Sequence, residues 1–183
     1  MVATTKALFL DRDGVINEDF DYVYRMEDFQ FKSEIFEICK LANANHYLVF
    51  IITNQAGIAR GYYSERDFFI LTKWMLNEFL NQSCSITKVY YCPYHPDFGN
   101  KRYKRDSNFR KPNPGMILKA AKRYSIDLEN SILVGDQNTD VEAGFRAGVG
   151  KNFLLLNPNK KNQSHHSEAT VIENLKDVIP FLV

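Results

Sequence analysis

Several short stretches of this chain carry side chains able to do chemistry. "DRDGVIN" sets Asp11 and Asp13 one residue apart, and "TNQAGIARG" offers Thr53, Asn54, Gln55 and Arg60. "RKP" places Arg110 beside Lys111, and "GDQNTD" brings Asp136, Gln137 and Asp140. Asp and Asn are common turn formers and helix caps. Carboxylates and a hydroxyl at three strand ends, however, gather on one rim, and like charges gathered there repel unless a cation neutralises them. An all-oxygen donor set favours Mg²⁺, which keeps several waters and also binds phosphate oxygens.

That set suits phosphoryl chemistry. A carboxylate can attack phosphorus and split a hard hydrolysis into two easier steps. Asp11, at a strand tip, is placed to attack. Asp13 can protonate the leaving oxygen and later deprotonate the incoming water. Attack of one anion on another needs charge cancellation. Mg²⁺ held by Asp11, the Asp13 backbone carbonyl and Asp136 would supply part of it, and a lysine the rest. Thr53 and the N–H groups after it can hold the phosphoryl oxygens.

The elements that must position these groups are legible as alternating patterns. Apolar runs at 7–10, 47–52, 86–91, 131–135 and 153–156 read as buried strands of a mainly parallel sheet. Helical patterns lie at 33–45, starting at Ser33, and at 64–80, opening on a capping-box-like "SERD". Others lie at 114–124, with Pro114 as first helical residue, and at 138–147, stopped by Gly148. This alternation predicts a doubly wound, Rossmann-like α/β fold with helices on both faces, one domain over 1–183 and no large cap domain. In such sheets ligands bind beyond the carboxyl ends of the strands. The stretch 157–169, "NPNKKNQSHHSEA", is expected to be a polar surface loop before a short C-terminal helix, with His165 and His166 solvated.

Bulk composition narrows the class. The chain has 183 residues, 45% hydrophobic and 25% charged, with a formal net charge of +1. No global field draws it to nucleic acid or anionic membrane. Three irregularly spaced cysteines, Cys39, Cys84 and Cys92, suit a reducing compartment. Without a signal segment or a run of about 20 apolar residues, a cytoplasmic location is expected.

"DRDGVIN", Thr53, Lys111 and "GDxxxD", in this order and spacing, resemble the four motifs of the haloacid dehalogenase (HAD) superfamily of phosphohydrolases. More narrowly, "FLDRDGVINED…YV", "TNQAGIARG", "YYCPYHP" and "RKPNPGM" resemble the bacterial heptose 1,7-bisphosphate phosphatase family, with histidinol-phosphate phosphatases as near relatives. The resemblance covers most of the chain. It implies Asp11 as nucleophile, Asp13 as acid/base, Mg²⁺ on Asp11, Asp13 and Asp136, and Thr53 and Lys111 on the phosphoryl group. It implies substrate contacts from Asp19, Tyr22, Asn54, Gln55 and Arg60. Arg110 would hold the phosphate that is not cleaved, for which a guanidinium fork is suited. Asp140 either orients the lysine or serves as a first-turn helix carboxylate. The implied product is heptose 1-phosphate, a precursor of nucleotide-activated heptose for surface polysaccharide.

The chain departs from the pattern in two places. Gln137 stands where the family has lysine, so a positive charge is lost near the substrate. In the segment 91–112, the family binds zinc through a cysteine and a histidine and then a "CxC" pair. Here Cys92 remains, Tyr94, Ser107 and Phe109 stand at the other positions, and His95 is one residue out of place. A structural zinc site needs four ligands. The expectation is therefore no zinc, with aromatic packing by Tyr94, Tyr103 and Phe109 fastening the loop.

Rival readings are weaker. Histidinol phosphate carries one phosphate and an amine, and would favour acidic surroundings rather than "RYKR" and "RK". A nucleic-acid 3′-end phosphatase or RNA-binding arm could use Tyr94, Phe98, Tyr103 and Phe109 for stacking. One basic loop on a near-neutral chain is a small footprint for that role. The intact Asp11, Asp13, Thr53, Lys111 and Asp136 argue against a non-catalytic scaffold. The expected partner is a small sugar bisphosphate, with neither nucleic acid nor membrane, acting on a monomer.

Overall fold

The computed structural model describes residues 5–157 and 168–183. His165, His166 and most of the 157–169 stretch lie outside these residues. Six parallel strands run in the spatial order β3-β2-β1-β4-β5-β6. They are β1 (Ala7–Leu10), β2 (Leu48–Asn54), β3 (Lys88–Cys92), β4 (Ile132–Gly135), β5 (Lys151–Leu155) and β6 (Thr170–Ile172). The helices are α1 (Ile35–Ala44), α2 (Ala56–Arg60), α3 (Glu65–Asn81), α4 (Gly115–Tyr124) and α5 (Asn138–Ala147), with a 3₁₀ helix at Leu175–Phe181.

Strand periodicity sorts the apolar residues onto two faces. Leu8, Leu10, Val49, Ile51, Ile132 and Val134 face one way and pack on α1, α3 and the 3₁₀ helix through Ile38, Cys39, Met75, Phe79 and Val178. Phe9, Phe50, Ile52 and Leu133 face the other way and pack on α4 and α5 through Met116, Ile117, Ala120 and Val141. Burial of both faces explains why these strands read as unbroken apolar runs. The doubly wound expectation holds. No helix among the described residues is long and apolar enough to cross a membrane.

Local signals held in part. Ser64 and Asp67 form the capping box of α3, the Ser64 N–H donating to Asp67 Oδ2 at 2.8 Å and the Asp67 N–H to Ser64 Oγ at 3.2 Å. Gly148 closes α5 in the left-handed region at φ 87°. Other boundaries moved. Glu34, not Ser33, precedes the first residue of α1, without a side-chain cap. Pro114 occupies the cap position of α4 rather than its first turn. The sequence reading missed α2 and β6, of five and three residues, which are too short to show a period.

β1 is the pivot. It pairs with β2 on one side and β4 on the other. Chain order reverses between β1 and β4, so the crevice beyond their carboxyl ends is where this topology places a ligand.

Candidate active site

The residues after β1, β2 and β4 meet in that crevice. Asp11 continues β1, and its N–H donates to the Val134 carbonyl of β4 at 3.0 Å, which extends the sheet to the site itself. A cleft of about 190 Å³ opens there, lined by Asp11, Asp13, Asp19, Tyr22, Thr53, Asn54, Lys111, Gln137 and Asp140, together with Asp21, Ala56, Tyr63 and Thr139.

Lys111 forms the electrostatic centre. Its ammonium lies 2.8 Å from Asp11 Oδ1 and 2.7 Å from Asp140 Oδ1, and donates to the Ile52 carbonyl at 2.9 Å. Burial works against the Lys111 charge, but the two carboxylates outweigh it and hold its pKa above the ordinary 10.5. Asn54 locks the lysine backbone in both directions. Its Oδ1 accepts from the Lys111 N–H at 3.0 Å, and its Nδ2 donates to the Lys111 carbonyl at 3.0 Å. Asn54 lines the cleft, but its amide is spent on this clamp.

Asp140 does both things the sequence left open. Oδ1 pairs with Lys111, while Oδ2 accepts the Gln137 N–H at 2.9 Å and caps α5. Gly135 leaves the space for this, since a Cβ there would lie 2.1 Å from Asp140 Cβ.

Asp11, Asp136 and Asp140 offer carboxylate oxygens within 4.8 Å of one another, and all three are buried. Burial pushes the Asp11 pKa well above the carboxylate range; Lys111 pulls it back in part, and Asp140 and Asp136 push it up further. Lys111 alone thus leaves excess negative charge. A divalent cation fits the oxygens of Asp11 and Asp136 in this cluster, since hard cations favour oxygen donors and Asp140 is spent on Lys111 and the α5 cap. Gly14, at φ 89°, lies so close that an added Cβ would sit 2.4 Å from Asp136 Cγ.

Asp13 is held separately. The Arg12 guanidinium forks onto it, Nε and Nη2 reaching both oxygens at 2.8–3.1 Å, and Asn17 Nδ2 and Gln55 Nε2 each donate at 3.1 Å. These bonds hold its side chain apart from the carboxylate trio but still at the cleft it lines, and they leave its backbone carbonyl as its contribution to a cation, the role the sequence reading gave it. Asp140 completes the carboxylate trio instead. Arg12 itself is 1% exposed and was not singled out from the sequence.

Gln55 is a correction. It was expected to touch substrate, yet it is 1% exposed and absent from the cleft lining. Its Nε2 donates to both Thr53 Oγ1, at 2.8 Å, and Asp13 Oδ2, while its Oε1 accepts the Tyr63 hydroxyl at 2.6 Å. It therefore ties two cleft residues together from behind. Tyr63 carried no signal in the sequence. Gly57, where a Cβ would fall 2.2 Å from the Tyr63 ring, is what lets α2 pass beneath it.

Asp19 and Tyr22 line the cleft. Asp21 and Tyr22 both take left-handed backbone, at φ 58° and 57°, which is uncommon for residues with a Cβ and marks a tight bend at the rim. Arg60 and Arg110 do not line the cleft. Arg110 Nη1 instead donates to the Tyr94 carbonyl at 3.3 Å, and burial together with the nearby charge of Arg60 lowers its pKa. Cys92 Sγ faces the Tyr94 carbonyl at 3.9 Å, and His95 Nδ1 accepts the Asp97 N–H at 3.1 Å. The expected aromatic fastening is half right. Tyr94 and Tyr103 face each other at 6.5 Å, but Phe109 packs with the core on the α4 side.

Residues 108–178 match a HAD-hydrolase-like family model. The D-glycero-alpha-D-manno-heptose-1,7-bisphosphate 7-phosphatase of Burkholderia mallei is 51% identical over 177 residues, spanning 97% of this chain and 93% of that protein. The chain belongs to the heptose-1,7-bisphosphate 7-phosphatase family of HAD-like hydrolases. It is accordingly a phosphoric monoester hydrolase by family. Within that family, the D-glycero-beta-D-manno-heptose-1,7-bisphosphate 7-phosphatase of Vibrio cholerae is 41% identical over 178 residues, covering 97% of this chain and 96% of that one. A solved D,D-heptose 1,7-bisphosphate phosphatase from B. bronchiseptica, complexed with magnesium and phosphate, superposes with a TM-score of 0.83 at 28% identity, covering 97% of each chain.

Proposed function

We propose that this chain removes the 7-phosphate of D-glycero-α-D-manno-heptose 1,7-bisphosphate through an aspartyl-phosphate on Asp11, with Mg²⁺ as cofactor. The observation that carries the mechanism is the buried group of Asp11, Asp136 and Asp140 around Lys111 at the β1–β4 crevice. The α anomer is preferred because the α-named relative is 51% identical to this chain and the β-named one 41%, over nearly the same span. Mg²⁺ follows from the oxygen donor set and from the magnesium complex of the B. bronchiseptica enzyme.

Asp11 is held by the Arg12 N–H, which donates to its Oδ1 at 2.7 Å, and by Lys111, so its carboxylate is fixed before substrate arrives. Bound by Asp11, Asp136 and the Asp13 carbonyl, the cation would offset the charge that Lys111 leaves unbalanced and so favour ionised Asp11. In the first step an Asp11 oxygen bonds to phosphorus, the bond to the sugar oxygen breaks, and Asp13 delivers a proton to that oxygen. In the second, Asp13 takes a proton from water, whose oxygen bonds to phosphorus and releases Asp11 and inorganic phosphate. Thr53 and Lys111 hold the phosphoryl oxygens, Asp19, Tyr22 and Gln137 face the sugar, and Arg60 and Arg110 attract the remaining phosphate. The product is heptose 1-phosphate, which supports a cytoplasmic place in nucleotide-activated heptose synthesis.

The family relatives are named for heptose bisphosphate, which favours it over histidinol phosphate. The test is Mg²⁺-dependent phosphate release from both heptose bisphosphate anomers, histidinol phosphate and a 3′-phosphorylated oligonucleotide. The α-bisphosphate should have the highest kcat/KM; a better rate on any other overturns the assignment. Asp11→Asn should abolish turnover.

A further inference from the structure

Glu65 is the first residue of α3, and its carboxylate gathers three donors, Tyr91 from β3 and Arg102 and Tyr103 from the segment after it. Oε1 accepts the Tyr91 hydroxyl at 2.8 Å; Oε2 accepts the Tyr103 hydroxyl at 2.9 Å and Arg102 Nη2 at 2.8 Å. One partly buried carboxylate therefore fixes both the start and the middle of the 91–112 segment to a rigid helix.

The fastening leads to Arg110 by short contacts. The Tyr103 carbonyl accepts the His95 N–H at 3.1 Å, and the His95 carbonyl accepts the Arg105 N–H at 3.1 Å, so 94–95 and 103–105 move as one ribbon. Tyr94 faces the Tyr103 ring and carries the Arg105 guanidinium 3.7 Å above its own. The Tyr94 carbonyl in turn accepts Arg110 Nη1 at 3.3 Å. On the other side, Phe98 supports Arg60, whose guanidinium lies 3.6 Å from the ring centroid. The Arg60 Nε is buried without a hydrogen-bond acceptor among the described residues. The charges of Arg60 and Arg110 act on one another and on His95, and one of the two keeps an unused buried donor; such a pair calls for an anion with several oxygens.

We propose that Glu65 is a specificity-determining positioning residue, which sets the 91–112 ribbon so that Arg110 and Arg60 receive the phosphate that is not cleaved. This rests on the bisphosphatase reading above. Glu65 lies outside the cleft lining, so it acts through the arginines and touches no reacting atom.

The test compares kcat/KM for heptose 1,7-bisphosphate with that for heptose 7-phosphate, in the full chain and in Glu65→Ala and Tyr103→Phe. The ratio should fall about tenfold in Glu65→Ala, carried by KM for the bisphosphate, and by less in Tyr103→Phe, which keeps the other two donors. A merely structural role would lower both substrates alike and leave the ratio unchanged; that result overturns the proposal. If Glu65→Ala does not fold, Tyr103→Phe and Tyr91→Phe decide by the same ratio. A wild-type chain that does not prefer the bisphosphate sinks the function reading and this inference with it. A wild-type preference that the variants leave intact sinks the inference alone.

Discussion

The Lys111 ammonium sits 2.7 Å from Asp140 Oδ1, and both side chains are almost sealed from solvent, at 2% and 3% exposure. Asp11 closes on the same nitrogen from the other side. Lys111→Met would leave three buried carboxylates together without a cation. Breaking a buried ion pair by removing one partner costs about 3–5 kcal/mol. Stability at neutral pH should fall by that order, and turnover should be lost. The Lys111 pKa is raised by folding, so its contribution is complete below the unfolded value and lost only as pH rises through the folded one. The deficit should shrink at acid pH as Asp11, whose pKa is raised, becomes protonated. Added Mg²⁺ should recover part of the lost Tm. Thermal melts across pH, with and without Mg²⁺, check all three; a neutral-pH melt identical to wild type refutes the ion-pair account.

Gly14 serves the same cluster by having no side chain. Its φ of 89° disfavours any other residue, and a Cβ would run into the Asp136 carboxylate. Gly14→Ala should therefore displace Asp136, weaken Mg²⁺ and lower kcat by about a hundredfold or more. A Mg²⁺ titration of activity measures this, and an unchanged half-saturation point would contradict it.

The Tyr63–Gln55 bond, at 2.6 Å, fixes which end of the Gln55 amide faces Asp13. Without it Oε1 loses its donor, and the amide that holds Asp13 and Thr53 is anchored from one end only. Tyr63→Phe should lower kcat about tenfold with KM within about twofold. Steady-state kinetics in which only KM moves would return these residues to substrate binding.

His95 reports on Arg60 and Arg110. Burial lowers its pKa below the ordinary 6.5, Arg110 and Arg60 lower it further, and Asp97 opposes them. Folding thus favours the neutral ring. The stability it contributes is present above the unfolded value and lost as pH falls through the folded one. In NMR titration His95 should have its midpoint below 6.5, and Arg110→Ala should move it upward. A midpoint that ignores this substitution would separate His95 from the arginines.

Much of this was legible in the chain because it is local. Strand–helix alternation depends on side-chain periodicity, and a doubly wound sheet has few alternatives once five buried strands alternate with helices. Asp11, Thr53 and Asp136 could be named because each follows an apolar run that must end at one rim, whereas Lys111 was legible only through its resemblance to a family motif. The capping box of α3 depends on four adjacent residues and was visible for that reason.

What the sequence determined by itself was the set of chemical groups and the edge of the sheet that receives them. The tertiary structure decided their allegiances. It took Gln55 out of the cleft and tied it to Tyr63, enclosed Arg12 to hold Asp13, and gave Asp140 both of its possible partners. It fastened the 91–112 segment to Glu65, far from it in sequence, and sent Phe109 to the core. Side-chain hydrogen bonds between distant segments carry no period and no fixed spacing, so they exist only once the sheet has brought the strand ends together.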